Sequence, residues 1–466
     1  MTAGALESRY RERSLWLDGL AGTLAPRPAL PGDLDCDVVV VGAGMTGLWA
    51  AYNLRRADPT LRVTVLEREI AGFGPSGRNG GWVSSGLAGS ASVYERRGGR
   101  DAVRRALRET YRAVALIGEV AEREEIDCGY RRAGGVMVAT SAPQLARLKA
   151  GIAELRELGA GDEDARVLGA AETDQIVRVR GRLASTYYPH CARIDPARLV
   201  RGLADACERA GVTIHERTEA VRIERGRVLT AGGATVRAPV VLRATESYTT
   251  RFPGEHRTFL PLYSLMIATE PLPGAVWEEL GWGDGLLVGD RHHLFFYAQR
   301  TVDGRIAIGG RGAPYDLREP LSERYERSPQ VRERLERALR RHFPAAAGAA
   351  VTHHWGGPLG VPRDWCMSVR FDRASGLGSA GGYSGHGVVS ANIAGRTLAD
   401  LVLGVESELT SLPWVGHRSR RWEPEPFRYI ASRAIVGLLG AADRREDASG
   451  RPDRRTLLVS PFMPPD

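Results

Sequence analysis

The sequence predicts an α/β protein built from one parallel and one antiparallel β-sheet. The parallel sheet is indicated by the uninterrupted apolar run 38–41, four valines in a row, which is typical of a strand buried on both faces. A second short apolar strand, 63–66, follows after a helical stretch, as in a βαβ unit. The antiparallel sheet is indicated by four strand-like segments within 262–309, two of them joined by the hairpin turn Asp303-Gly304.

A glycine motif directly follows the first strand. Gly42, Gly44 and Gly47 form a GxGxxG pattern. In this pattern the first glycine permits a tight turn, the second lets the backbone approach a pyrophosphate, and the third lets the helix pack on the strand. Glu67, 20 residues after the third glycine, stands where a carboxylate accepts the ribose hydroxyls of an adenine dinucleotide. This order predicts a Rossmann-type dinucleotide site, and a glycine turn in a plain βαβ unit is the alternative. The cofactor-binding candidates here are Gly42, Gly44, Met45, Thr46, Gly47, Glu67 and Arg68.

The next segment, 72–81, distinguishes between dinucleotides. It reads GFGPSGRNGG, whereas a nicotinamide domain would begin its next crossover there. A flavin needs such a loop, because backbone must run close along the pyrophosphate, ribityl chain and ring. With this loop the sequence resembles the FAD-dependent amine and amino-acid oxidase family, which includes sarcosine oxidase, glycine oxidase and D-amino-acid oxidase. Its SGRNGG form is most similar to the γ-glutamylputrescine oxidase branch. The FAD-binding candidates in the loop are Gly74, Ser76, Gly77, Arg78, Asn79, Gly80 and Gly81.

The resemblance implies a glutathione-reductase-like fold of the D-amino-acid oxidase type, in which two domains alternate along the chain. It places FAD-binding parts at 33–129, 191–254 and 351–404, substrate-domain parts at 130–190 and 255–350, and a C-terminal helix and tail at 405–466. It also implies that Val221 contacts adenine through its backbone. Ala244 and Thr245 open a turn similar to the family's ATNAYT, with Glu and Ser as departures. The third FAD motif is GYSGHG, which adds Gly382, Tyr383, Ser384, Gly385, His386 and Gly387.

The substrate is less directly indicated. Glycine oxidase-like members hold a substrate carboxylate with an arginine, and here Leu359 occupies that place. This favours an amine, oxidised by hydride transfer to flavin N5, over an α-amino acid, although Arg132, Arg300 or Arg311 are alternatives. Catalytic or substrate-cage candidates are Tyr263, Tyr297 and Tyr383, with His386 as a flavin neighbour or proton-transfer residue. Ordinary sheet and core packing is the competing interpretation for the first two.

The electron acceptor is left open between O2, which would yield hydrogen peroxide, and a quinone or carrier protein. The oxygen-activating lysine of sarcosine oxidase-type enzymes has no counterpart, since the sole lysine, Lys149, falls in a helical excursion. Arg78 or His386 could supply the positive charge instead. FAD is expected to be non-covalent, because no cysteine lies between Trp355 and Asp364. A non-catalytic FAD-binding protein is a further alternative.

Composition excludes several other classes. The 466 residues are 43% hydrophobic and 26% charged, as in globular proteins, and contain neither a membrane-spanning run nor a secretory signal. The net charge is +8, but the sequence has no basic block with interleaved aromatic residues, so nucleic-acid binding is not expected.

Five scattered cysteines indicate a reducing cytoplasm. The adjacent pairs 292–293 and 353–354 are unsuited to a joint histidine metal site, so no metal is expected. The oligomeric state is left open. The N-terminal 1–32 are expected on the surface of the nucleotide domain, and the C-terminal helix is expected to pack against that same domain.

Overall fold

The computed structural model describes residues 2–313 and 315–459, and its elements alternate between two large sheets. The helices are α1 (Ala3–Arg11), α2 (Leu15–Asp18), α3 (Met45–Ala57), α4 (Ala91–Arg123), α5 (Ala142–Glu157), α6 (Ala170–Asp174), α7 (Pro196–Arg209), α8 (Gly274–Leu280), α9 (Pro329–His342), α10 (Gly387–Leu403) and α11 (Phe427–Ser449). The strands are β1 (Leu34–Asp35), β2 (Val38–Val41), β3 (Val63–Leu66), β4 (Trp82–Ser84), β5 (Gly135–Ala139), β6 (Arg166–Gly169), β7 (Ala184–Tyr188), β8 (Cys191–Arg193), β9 (Thr213–His215), β10 (Ala220–Glu224), β11 (Arg227–Thr230), β12 (Thr235–Arg237), β13 (Val240–Arg243), β14 (Leu260–Thr269), β15 (Leu287–Asp290), β16 (Phe296–Arg300), β17 (Ile306–Ala313), β18 (Val351–Val361), β19 (Ser368–Asp372) and β20 (Leu377–Gly381).

The first sheet has the order β19-β20-β13-β2-β3-β9. Its strands from β20 to β9 run parallel, and only β19 is antiparallel to its neighbour. All four valines of β2 are buried, as a central parallel strand requires. Helix α3 leaves β2 and packs closely against α10, so the two helices bring the first and last thirds of the chain together. The predicted parallel sheet is confirmed.

The second sheet has eight strands in the order β18-β14-β17-β16-β15-β5-β7-β6. Neighbouring strands are antiparallel except for the parallel pair β15 and β5. The predicted antiparallel sheet is thereby confirmed. One predicted limit needs correction: β18 pairs with β14 from Leu260 to Thr269, so 351–361 belongs to this sheet and not to an FAD-binding part. The remaining domain limits stay predictions.

The N-terminal segment is more than the surface lead expected from its prolines. Helices α1 and α2 bury Tyr10, Trp16 and Leu17, which pack in one cluster with Phe73 and Trp355. The segment therefore lies between the glycine-rich loop and the antiparallel sheet. The available signals for this packing were the apolar run Leu15-Trp16-Leu17 and the four-residue spacing of Leu6 and Tyr10.

The C-terminal helix also differs from the expectation. Both carboxylate oxygens of Asp443 accept backbone N–H groups of the β15–β16 connection, from His293 and Leu294, each at 2.9 Å. Helix α11 therefore packs on the antiparallel sheet and not on the nucleotide domain. A search of the described residues finds no helix with both the length and the apolar character to span a bilayer.

Candidate active site

A cavity of about 1170 Å³ lies between the two sheets. It is larger than the roughly 300–1,000 Å³ of a typical single-ligand pocket, so it can hold a cofactor and a substrate together. One end lies at the carboxyl edge of β2 and β3, where open α/β sheets bind nucleotides. The other end lies on the antiparallel sheet.

The turn after β2 has the geometry of a pyrophosphate cradle. Gly42 has φ +106°, and a Cβ there would lie 2.6 Å from the carbonyl oxygen of Ala244. A Cβ on Gly47 would lie 2.0 Å from the carbonyl oxygen of Gly42. Gly42, Gly44, Met45 and Thr46 line the cavity, whereas Gly47 lies behind the turn and lets α3 approach it. The residues present therefore fit an adenine dinucleotide.

Glu67 lies beside this cradle, at the end of β3. Its carboxylate accepts N–H groups from Ala43 at 2.8 Å and from Glu69 at 3.0 Å. Burial raises the pKa of Glu67 to about 7, although these two hydrogen bonds lower it. Arg68 also lines the cavity, and its guanidinium lies 5.8 Å from the centre of the Tyr248 ring.

The glycine-rich loop is held by its own polar side chains. Asn79 accepts the N–H of Gly81 at 2.8 Å and donates to the carbonyls of Pro75 and Ser76. The hydroxyl of Ser76 accepts the N–H of Met45 at 2.9 Å, which joins the loop to the first glycine turn. Of the predicted loop residues, the cavity is lined by Gly74, Ser76, Arg78, Asn79 and Gly80, while Gly77 and Gly81 face the protein interior.

Arg78 is fully buried, and its positive charge is paired within the protein. Its guanidinium donates to Glu326 at 2.6 Å and to the carbonyl of Gly356 at 2.9 Å. Glu326 also accepts from Arg13 at 3.1 Å. This ion-pair cluster ties the glycine-rich loop to the antiparallel sheet and to the N-terminal segment.

Two indole groups that sequence reasoning missed also position the loop. Trp16 donates to the carbonyl of Asn79 at 2.8 Å, and Trp355 donates to the carbonyl of Arg78 at 2.9 Å. The two indoles meet edge to face with ring centres 6.1 Å apart. They are separated from the loop by 63 and 277 residues, so no local pattern could have indicated them.

The predicted adenine contact, Val221, lies directly after a segment that lines the cavity. Val221 lies at a break in the register between β10 and β11, its side chain is 44% exposed, and it does not line the cavity. The cavity is lined instead by 218–220, just before it. The contact of the Val221 backbone with adenine stays a prediction.

Glu246, which departs from the family's ATNAYT turn, connects that turn to the third FAD motif. This residue has φ +43°, and its carboxylate accepts N–H groups from Gly382 at 3.4 Å and Tyr383 at 3.3 Å. Burial raises the pKa of Glu246 to about 7. The turn that Ala244 and Thr245 open, and with which they line the cavity, is thus joined to the third FAD motif.

The third motif places the start of a helix at the cavity. Tyr383, Ser384, Gly385, His386 and Gly387 line it, while Gly382 lies behind. Helix α10 begins at Gly387, so its positive end faces the cavity, as stabilisation of an anionic reduced flavin requires. The hydroxyl of Tyr383 lies 2.7 Å from that of Thr46, so this tyrosine braces the cofactor site.

The predicted aromatic cage is only partly present. Tyr297 lines the cavity with its ring against Gly80, and its hydroxyl lies 2.8 Å from that of Ser264. Trp82, which sequence reasoning missed, meets Tyr297 edge to face with ring centres 6.1 Å apart. Tyr263 was a wrong candidate: it is fully buried, donates to the carbonyl of Ser322, and does not line the cavity.

Two of the three alternative carboxylate anchors do not line the cavity. Arg132 pairs with His190, and Arg300 lies over the ring of Trp277, 4.4 Å from its centre. Neither lines the cavity, whereas Leu359 does. The side chain of Arg311 lies outside the described residues.

The adjacent histidines diverge, as expected for neighbours in a chain. His292 lies between the carboxylates of Asp290 and Asp447. Burial lowers its pKa, but the hydrogen bonds to these carboxylates outweigh that effect and raise it to about 10. His293 faces Glu446 at 3.3 Å. The expected absence of a metal stays a prediction.

Fold and site together define a dinucleotide-dependent enzyme of the glutathione-reductase-like class. A sequence model of the family described as FAD dependent oxidoreductase (DAO) matches residues 37–401, and the chain belongs to this family. The predicted family, the D-amino-acid oxidase type of fold and the cofactor FAD are thereby confirmed.

Relatives extend over most of the chain. It is 31% identical over 398 residues to a probable oxidoreductase OrdL of Rhizobium meliloti, covering 83% of this chain and 87% of the relative. It is 30% identical over 419 residues to gamma-glutamylputrescine oxidoreductase of Escherichia coli, covering 86% and 93%. Glycine oxidase from Geobacillus kaustophilus shares the fold, with a TM-score of 0.66 at 20% identity over 83% of this chain and 100% of that one.

Proposed function

We propose that this flavoenzyme oxidises the C–N bond of a primary or secondary amine. The observation that carries the proposal is the apolar Leu359 in the cavity wall, where glycine oxidase-like members have an arginine for the substrate carboxylate. Neither Arg132 nor Arg300 replaces that arginine. The E. coli relative, named for γ-glutamylputrescine, supports an amine substrate.

FAD, when bound, supplies a hydride acceptor at N5. The protein's own contribution is to place the amine and to exclude water. The aromatic faces of Trp82 and Tyr297 attract an ammonium ion, which must lose a proton before its α-carbon can give up hydride. Loss of that hydride and an N–H proton leaves an imine, which water hydrolyses to a carbonyl compound and an amine or ammonia. The α10 N-terminus, at Gly387, stabilises the negative charge left after hydride transfer.

O2, reduced to hydrogen peroxide, is the proposed electron acceptor. A quinone or carrier protein is the second candidate, and two observations favour keeping it. Lys149 is exposed on α5 and does not line the cavity. The charge of Arg78 is paired with Glu326. His386, which lines the cavity, is then the remaining candidate for an oxygen-activating cation of the two considered.

Anaerobic mixing with a panel of amines, polyamines and amino acids tests the proposal. Amines should bleach the flavin absorbance at low concentration, and α-amino acids should do so only weakly. Bleaching by α-amino acids alone would contradict the amine assignment, and bleaching by nothing would favour a non-catalytic FAD-binding protein. Peroxide formation after admitting air then separates oxidase from dehydrogenase.

A further inference from the structure

We propose that the C-terminal segment 427–459 forms the outer half of the substrate site and binds the non-reacting, apolar end of the amine. This rests on the proposed amine oxidation. The segment lies wholly beyond the family match, which ends at residue 401. It nevertheless contributes to the same cavity as the flavin motifs. Its lining residues are Leu439, Glu446, Pro452, Thr456, Leu457 and Val459.

The segment is held against the antiparallel sheet by acidic side chains that are buried. Asp443, 9% exposed, holds the β15–β16 connection through the two N–H bonds described above. Glu446, 2% exposed, pairs with Arg147 of α5 at 2.9 Å and accepts the N–H of Asp453 at 3.1 Å. Asp447 contacts Arg341 of α9 and His292. Removing one partner of such a buried ion pair is costly, so these contacts hold the segment in place beside the cavity.

This outer chamber has an apolar side formed by α5 and the C-terminal segment. Leu155 and Leu158, at the end of α5, line it together with Leu439, Leu457 and Val459. Charged side chains also line the chamber, and they are held by partners of their own: Arg147 pairs with Glu446 and His292 with Asp290. Arg291 donates to the hydroxyl of Tyr188 at 2.7 Å. These groups therefore offer little attraction to a second charge on the substrate. An amine with an extended alkyl end therefore fits better than one with a second ammonium or a carboxylate at that end.

A matched pair of variants tests this inference. Leu457 and Leu458 are neighbours with nearly equal exposure, 68% and 70%, but only Leu457 lines the cavity. In the full-length FAD-loaded enzyme, Leu457→Ala should lower kcat/KM for octylamine roughly fivefold to tenfold, as expected for losing about 50 Å² of apolar contact. Propylamine, too short to reach the segment, and diaminooctane should change less than twofold. Leu458→Ala should change none of them.

Binding without turnover separates this inference from the proposed function. The dissociation constant of octyltrimethylammonium, a quaternary ion that cannot form a neutral amine, should rise by the same factor in Leu457→Ala and stay unchanged in Leu458→Ala. If no amine reduces the flavin but this selective weakening is seen, the amine-oxidase proposal fails and the outer site stands. Equal effects of the two variants, an effect independent of chain length, or a larger effect on diaminooctane would overturn the outer site.

Discussion

Glu67 allows the nucleotide end of the site to be tested through pH. In the FAD-free protein, burial raises its pKa from 4.5 to about 7, so ionisation costs about 3 kcal/mol more than in water. Ribose hydroxyls would donate to the carboxylate and favour its ionised form. FAD binding should therefore release a proton from Glu67 and become tighter as pH rises towards and through 7.

The size of the effect follows from the same values. If bound FAD returns the pKa to its ordinary value, affinity should increase about tenfold between pH 6 and pH 8 and level off above that. Flavin fluorescence quenching on titration of the FAD-free protein, at constant ionic strength, measures the dissociation constant. Glu67→Gln should bind more weakly at pH 8 and lose this slope.

Glu246, whose pKa is also raised to about 7, provides the internal control. It is unchanged in Glu67→Gln, so any titration of Glu246 contributes equally to both profiles. The difference between the two profiles therefore isolates Glu67. Parallel profiles for the two proteins would refute the assignment of Glu67 to the ribose.

Other parts of the site give three further predictions. Arg78→Met should reduce the free energy of unfolding, measured by urea titration, by about 3 kcal/mol. This is at the low end for a broken buried ion pair, because Arg13 still pairs with Glu326. Adding Glu326→Leu should restore part of the lost stability, and no recovery would argue against the Arg78–Glu326 pair. Tyr297→Phe should lower kcat/KM for amines about twofold to tenfold through its lost hydrogen bond, whereas Tyr263→Phe should leave it unchanged; equal effects would contradict the cavity assignment. Acid precipitation should release the yellow cofactor, because the interval between Trp355 and Asp364 contains no cysteine and Cys366, just beyond it, does not line the cavity. Colour in the pellet would show covalent FAD.

The cofactor site was predictable because its signals are local. The turn that contains Gly42 and Gly47, the acid at Glu67 and the loop around Asn79 each act through backbone geometry within a few residues. Glycine spacing records such geometry directly in the sequence. The family resemblance gave a less exact position at Val221, which does not line the cavity although 218–220 do.

The substrate half was less predictable because its side chains come from distant segments. Tyr263 and Tyr297 lie on strands of similar character, and only the pairing of those strands puts one ring in the core and the other in the cavity. Trp16 and Trp355 reach the flavin loop across long separations. Aromatic residues in a sheet carry no local mark of which face they occupy.

The amino-acid sequence alone determined the alternation of two sheets, the dinucleotide cradle and the class of cofactor, since each depends on short-range backbone constraints. The tertiary structure alone decided which aromatic rings face the cavity, that Arg78 is neutralised by Glu326, and that the chain beyond residue 427 lines part of the cavity. These features depend on contacts between residues far apart in the chain. Packing, charge pairing and register establish such contacts only after the sheets have formed.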